Sequence, residues 1–313
     1  MINQSLHIEL TSRCTLECPA CPRTIWKDIL KYPVAKTDLD ITHLDTFLNC
    51  NEGKQINHFV LCGDYGDPIY YPKLFDFIRH FRSTKTFSIH TNGSYQTEKF
   101  WNTLSKLLCP DDNIIFGIDG LEDTNHLYRK NSNWASIMLG LDIMSQGSAK
   151  IYWQTIIFNF NYKILDNIQK FAESKNASFF TIMSHRFGDD SLMPPEEYIE
   201  THYLYNEEYN TKNVLTIVPQ CEKERVITSD GYCLPCDWIR NPKTFYKSEL
   251  WKQKSRWIEK LKLDNTTLDQ AMIVVKDWAR YVQQSGTSHP DKVNVICKMK
   301  CRAGCPSPNK LNE

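Results

Sequence analysis

Three cysteines, Cys14, Cys18 and Cys21, crowd into the run TSRCTLECPACPR between Thr11 and Arg23. At this chain's cysteine frequency a C-x3-C-x2-C run arises by chance only about 0.02 times over the whole length (~0.04 cubed, times ~300 positions), so a shared chemical task explains it better than packing does. Thiolates at that density read as ligands of an iron–sulfur cluster. Structural zinc closes its tetrahedron with four Cys or His ligands, and the nearest further candidate, His7, lies inside an apolar stretch that reads as a strand. A cubane held by three cysteines instead leaves one iron open to another ligand.

The elements that must position this loop follow from the pattern of apolar residues. Short β-rich runs at Leu6–Leu10, His58–Cys62, Phe87–His90, Asn113–Ile118, Ile151–Phe158 and Phe179–Met183 alternate with longer amphipathic stretches. Helices are expected at Asp40–Cys50, Lys73–Phe81, Thr97–Leu108, Trp134–Ser145, Lys163–Ser174 and Pro195–Glu207, each long enough to cross back between parallel neighbours. The fold class is therefore α/β, a (β/α)6 partial TIM barrel, with residues 1–209 as its core and a small α+β domain at 210–313.

Polar and special residues recur just after these strands. The cysteine loop follows the first, Gly63-Asp-Tyr-Gly-Asp-Pro68 the second, Thr91-Asn-Gly93 the third and Asp119-Gly120 the fourth. In parallel sheets and barrels the site lies at the carboxyl ends of the strands, so one mouth should gather all four loops. Gln154, Asn159, Asn161 and the His185-Arg186 pair fall at the ends of the fifth and sixth strands and are the candidates for substrate contact.

Composition narrows the class. Lys plus Arg and Asp plus Glu are equal at 37 each, so no net field recruits nucleic acid or an anionic membrane. No secretory signal opens the 313 residues and no apolar run reaches membrane-spanning length, which leads to an expectation of a cytoplasmic protein. Its twelve cysteines then read chiefly as metal ligands. Cys50, Cys62 and Cys109 stand alone and are expected to be small buried residues.

The cysteine loop behind Leu6–Leu10 resembles the signature of the radical S-adenosylmethionine (SAM) superfamily. In that family the open iron chelates the amino and carboxylate groups of SAM, and one electron cleaves the sulfonium to a 5′-deoxyadenosyl radical. The resemblance implies Cys14, Cys18 and Cys21 as ligands of a SAM-binding [4Fe–4S] cluster. Tyr65-Gly66-Asp67-Pro68 resembles the family's GGE segment with Asp67 at the glutamate position, and Thr91-Asn92-Gly93 its Thr-Asn-Gly segment. Phe116-Gly-Ile-Asp-Gly120 followed by Arg129 is similar to its S-x-D-G…R arrangement, with Gly117 where serine is usual. Gly66, Asp67, Thr91, Asn92, Asp119 and Arg129 are thereby implied as SAM contacts. The position before the third cysteine, often aromatic in the family, is Ala20.

Six more cysteines mark the last third: Cys221, Cys233, Cys236, Cys297, Cys301 and Cys305. Cys221, nine residues, Gly231, four residues, Cys236 is similar to the opening of the SPASM and twitch extensions that hold auxiliary [4Fe–4S] clusters. Ser229–Cys236 suits a β-hairpin, and Cys297-x3-Cys301-x3-Cys305 follows a helical stretch with Trp251 and Trp257. One auxiliary cluster on Cys221, Cys236, Cys297 and Cys301 is implied, with Cys305 as alternate ligand. Cys233, on the other side of the strand from Cys236 in a regular hairpin, is left out of the set. A four-cysteine zinc site competes with this reading.

The resemblance implies a radical SAM oxidoreductase that abstracts hydrogen from substrate carbon, drawing its electron from an external one-electron reductant such as flavodoxin or ferredoxin. Modification of a peptide or protein is the leading expectation. Dehydrogenation of a sugar or aminocyclitol alcohol is the alternative, and a non-enzymatic metal-binding protein the reading from another class.

Overall fold

The computed structural model describes residues 4–28, 35–63, 65–183, 192–193, 195, 225–235 and 257–288. It divides into two compact units, one of residues 8–39 and 57–205, the other of residues 1–7, 40–56 and 206–313. His185, Arg186, Cys221, Cys236, Cys297, Cys301 and Cys305 lie outside the described residues, as does all of the expected Pro195–Glu207 helix after its first residue.

The larger unit carries a parallel sheet of β2 (His58–Leu61), β3 (Thr86–Thr91), β4 (Asn113–Gly117), β5 (Lys150–Ile157) and β6 (Ser178–Met183), paired in chain order. Ile8, the last residue of β1 (Ser5–Ile8), accepts a backbone hydrogen bond from Cys62 at 3.3 Å. Each predicted strand is present, with ends shifted by a residue or two. The first is the most altered, and its reason is local. Leu10, Thr11 and Ser12 bond to the returning segment at residues 37–39 instead, through Leu39 N to Leu10 O at 2.8 Å and Ser12 N to Thr37 O at 3.0 Å.

Alternation along the strands sorts their side chains onto two faces. Phe59 and Leu61 of β2 and Phe87 and Ile89 of β3 are fully buried. Phe59 packs at 5.1–6.1 Å between centroids with Phe77, Phe81 and Phe87, Phe77 and Phe81 coming from α4 (Leu74–Phe81). Burying each such side chain contributes about 1.5–3 kcal/mol, so this aromatic layer is a main anchor of the helix to the sheet. Farther along, beyond the one-turn helix α6 (Asn125–Tyr128), Trp153 of β5 meets Trp134, the first residue of α7 (Trp134–Met144), and Phe171 of α8 (Leu165–Ser174). Between them α5 (Glu98–Leu107) starts at Thr97, whose hydroxyl accepts from Phe100 N, and buries Trp101 and Leu104. The opposite face of the sheet carries a polar cluster beside Val60 and Ile115. His58 bonds Thr86 and Ser88 at 2.7 and 2.9 Å, and Asn113 donates to Ser88 at 2.9 Å.

In the smaller unit the helix expected at Asp40–Cys50 is present, ending two residues early, and a second short helix follows it. Asp40 caps α2 (Ile41–Leu48), and Cys50 then caps α3 (Asn51–Gln55), its sulfur accepting from Gly53 N at 3.4 Å. That cap corrects the reading of Cys50 as a buried packing residue; Cys62 is likewise half-buried, and Cys109, in the turn before β4, is exposed. The expected hairpin is formed by β7 (Val226–Ile227) and β8 (Cys233–Leu234), turning at Gly231 with φ +84°. Of the expected helical stretch with Trp251 and Trp257, residues 251–256 lie outside the described residues; Trp257 precedes a short 3-10 turn at Ile258–Leu261 and packs at 5.5 Å on Trp278 of α9 (Leu268–Ser288). Among the described residues no helix is long and apolar enough to cross a membrane.

Candidate functional site

The cysteine loop folds back on itself before helix α1 (Pro22–Asp28). Cys21 N donates to Cys18 O at 3.0 Å, and Pro22, which has no N–H to lose, starts the helix. Cys18 is buried in a cluster with Leu16, Tyr128, Ile156, Phe158 and Leu192, and Cys14, Cys21, Ala20 and Phe160 pack against the same cluster. The three thiols are thus brought onto one apolar patch. Among the described residues no three His, Cys, Asp or Glu side chains surround a single metal ion. Each thiolate of a cubane binds its own iron, so adjacency is what the cluster demands of Cys14, Cys18 and Cys21.

The environment of Cys14 fits that role. Burial, and then the Asp67 carboxylate, push its thiol up to about 12, with Cys21 and Cys18 adding to the effect. Three bare thiolates would be costly here, and a cationic iron core is what makes the deprotonated set favourable. Two donors already face the Cys14 sulfur: Leu16 N at 3.4 Å and Asn92 Nδ2 at 3.6 Å.

The loop after β2 is pressed against the cysteine loop. A Cβ on Gly66 would lie 1.8 Å from Thr11 O and 2.9 Å from Ser12 Cα, so only glycine permits the approach. Asp67 N then donates to Arg13 O at 2.9 Å. The Asp67 carboxylate, 5% exposed, accepts from Ile69 N at 3.1 Å, Thr91 Oγ1 at 3.1 Å, Asn92 N at 2.6 Å and Asn92 Nδ2 at 2.6 Å. Burial raises its pKa to about 6 despite these donors. Asp67, Thr91 and Asn92 therefore form one unit that ties the second and third loops together. Tyr70 reinforces it by bridging Thr15 and the Ser94 carbonyl.

On the far side of the thiols, Asp119 is fully buried and accepts from Arg129 Nε at 2.6 Å and Ile156 N at 2.7 Å. Burial works against the Arg129 charge, but Asp119 and then Cys18 outweigh it and keep the guanidinium protonated. The side chain crosses Gly117, where a Cβ would sit 2.8 Å from an Arg129 terminal nitrogen. A side chain at that position would have to displace the end of the arginine.

Of the expected substrate contacts, Asn161 spends its amide inside the protein, accepting from Phe158 N and donating to the Asp119 and Ile156 carbonyls, each at 2.8 Å. Gln154 is half-buried and alternates with Trp153, which places it on the polar face away from the helices. Asn159 is exposed. Sequence reasoning passed over Glu9, which is buried and accepts from Tyr65 N at 2.7 Å, so that it braces the same loop. A carboxylate inside the apolar run Leu6–Leu10 was the available signal.

SuiB of Streptococcus suis bound to S-adenosylmethionine aligns with a TM-score of 0.57 at 13% identity, covering 80% of this chain and 65% of SuiB. The protein anSMEcpe with bound AdoMet aligns at 0.60 and 15% identity, covering 89% of this chain and 80% of its own. Its complex with AdoMet and the Cp18Cys peptide aligns at 0.59 over 95% of this chain and 88% of the other. The likeness is one of fold, a partial barrel built on a mostly parallel sheet. No family model matches the sequence. A tungsten-containing aldehyde ferredoxin oxidoreductase cofactor-modifying protein of Pyrococcus furiosus is 27% identical over 117 residues, 37% of this chain, and the match spans about a third of that relative, 31%.

Proposed function

We propose that this chain is a radical SAM enzyme that modifies a peptide or protein substrate. The observation that carries the reading is the convergence of Cys14, Cys18 and Cys21 with the Asp67–Asn92 unit and the Asp119–Arg129 pair at one end of a parallel sheet. When bound, the [4Fe–4S] cluster and SAM supply the electron transfer and the 5′-deoxyadenosyl radical that takes hydrogen from substrate carbon.

The chain's own residues supply placement and electrostatics. Cys14, Cys18 and Cys21 hold the cluster; Gly66 lets the second loop close on the first; Asp67 fixes Thr91 and Asn92. Arg129, kept charged by Asp119, is the cation suited to the SAM carboxylate. Gln154 projects from the polar face as a neutral hydrogen-bonding group for substrate, and His185 and Arg186 remain candidates from the next loop. Cys221, Cys236, Cys297 and Cys301, with Cys305 as alternate, are proposed to hold one auxiliary [4Fe–4S] cluster, which would supply an electron acceptor for the substrate or a means of positioning it. Flavodoxin or ferredoxin is the class of reductant proposed for the first electron. Support for a peptide comes from the solved neighbours that carry one, anSMEcpe with Cp18Cys and SuiB with its precursor peptide SuiA.

Co-expression with short peptides encoded beside the gene, followed by mass spectrometry, tests the substrate class. A mass change present with the wild type and absent with Cys14→Ala supports the reading. Unaltered peptides together with oxidation of a sugar or aminocyclitol alcohol by the purified enzyme would replace it.

A further inference from the structure

Asn92 is held in one orientation by bonds on every side of its amide. Its Oδ1 accepts from Ser94 N at 2.9 Å, while Nδ2 donates to Asp67 Oδ2 at 2.6 Å and faces Cys14 Sγ at 3.6 Å. A side-chain amide has two N–H groups, and here one is given to the carboxylate and the other to the sulfur. Flipping the amide would set its oxygen against both Asp67 and Cys14, so the assignment follows from the network itself. Asn92 is 5% exposed and Asp67 equally so, which keeps water from competing for either bond. The contact joins residues 78 apart in sequence, so it depends on the register of two loops and is not a by-product of the cysteine loop's own turn.

From this geometry we infer that Asn92, aimed by Asp67, is a positioning residue that sets the reduction potential of the cluster bound at Cys14. The inference rests on the proposed three-cysteine cluster. An N–H directed at a ligating sulfur stabilises the more electron-rich, reduced cluster and raises its potential. Asp67 contributes indirectly. Its carboxylate polarises the Asn92 amide and prevents it from turning away, and the backbone N–H of Asn92 on the same oxygen, at 2.6 Å, locks the loop beneath. The aspartate that the sequence pattern implied as a SAM contact thus has its carboxylate engaged by Thr91, Asn92 and Ile69, and acts on the sulfur through Asn92.

The test is an EPR-monitored redox titration of the anaerobically reconstituted full chain without SAM, reading the signal that changes when SAM is then added. Asn92→Ala removes the sulfur donor. Tyr70→Phe loosens the same loops, by removing the hydroxyl between Thr15 and Ser94, but leaves the donor in place. Asn92→Ala is expected to lower the midpoint by an amount equivalent to about three- to tenfold in the reduced-to-oxidised ratio, tenfold being about 59 mV for one electron. Tyr70→Phe should leave it at the wild-type value. Equal midpoints in wild type and Asn92→Ala, or equal downward shifts in both variants, would overturn the inference while leaving the cluster reading intact. A wild-type chain with no SAM-responsive signal would overturn both.

Discussion

Gly66→Ala is the smallest change that should break the site. The added carbon would meet backbone on all sides, 1.8 Å from Thr11 O, 2.6 Å from Thr11 C and 2.9 Å from Ser12 Cα. No rotamer can relieve that, so the two loops must part. Parting them stretches the Asp67 N to Arg13 O bond of 2.9 Å, a loss of about 1 kcal/mol, on top of an overpacking cost of about 1–3 kcal/mol. The sum is about 2–4 kcal/mol. At about 2–4 °C per kcal/mol for a unit of this size, the melting temperature should fall by roughly 5–15 °C in calorimetry of the cluster-free protein. The same movement carries Asp67 and Asn92 away from Cys14, so the reconstituted variant should also lose its SAM-responsive EPR signal. Gly231→Ala is the comparison: φ there is +84° but no atom lies within 4 Å of the new carbon, so it meets only the left-handed strain of about 1–2 kcal/mol and should keep that signal. A Gly66→Ala protein melting within about 1 °C of wild type, with its SAM-responsive signal retained, would refute the close approach.

Asp119→Asn leaves the Arg129 charge without its carboxylate in a buried setting and should cost about 3–5 kcal/mol in urea titration; a loss below about 1 kcal/mol would mean the pair is effectively solvated. Asn161→Ala orphans Phe158 N and the Asp119 and Ile156 carbonyls and should destabilise the chain by about 2–4 kcal/mol, whereas unchanged stability with a raised KM would make it a substrate contact. His58 is held below its ordinary value of 6.5 by burial, only partly offset by Asp112. The unfolded chain therefore takes up the proton first. The neutral ring's contribution is complete above 6.5 and is lost as pH falls from there toward the depressed folded value, and His58→Asn should flatten that slope in denaturant midpoints measured across the window.

The sheet was legible because its strands are short β-rich runs with helices of the right length between them. Which face of each strand meets the helices, the side of Phe59, Phe87 and Trp153, is shown by the structure. Strand ends were less legible where the competing partner was distant in sequence: nothing in Leu6–Leu10 announces that Leu10 will bond to Leu39. The short helix α3 was not legible, because its cap is Cys50 and a thiol is an uncommon helix cap. In the site, residue type and position found Asp67, Asn92, Asp119 and Arg129, but not what each one touches. Asp67 reads as a ligand-facing carboxylate until Thr91 and Asn92 are seen to occupy it. Asn161 reads as a free amide until its three bonds are counted. Those pairings join different loops, and a single sequence does not record them.

The central claim is that Cys14, Cys18 and Cys21 hold the cluster that cleaves SAM. Its most direct test is chromatographic measurement of 5′-deoxyadenosine after anaerobic reconstitution with iron and sulfide and incubation with SAM and dithionite. The account predicts 5′-deoxyadenosine from the wild type and none above background from Cys14→Ala, Cys18→Ala or Cys21→Ala. A fully iron-loaded wild type that forms none, or a Cys18→Ala variant that forms as much as the wild type, would contradict it.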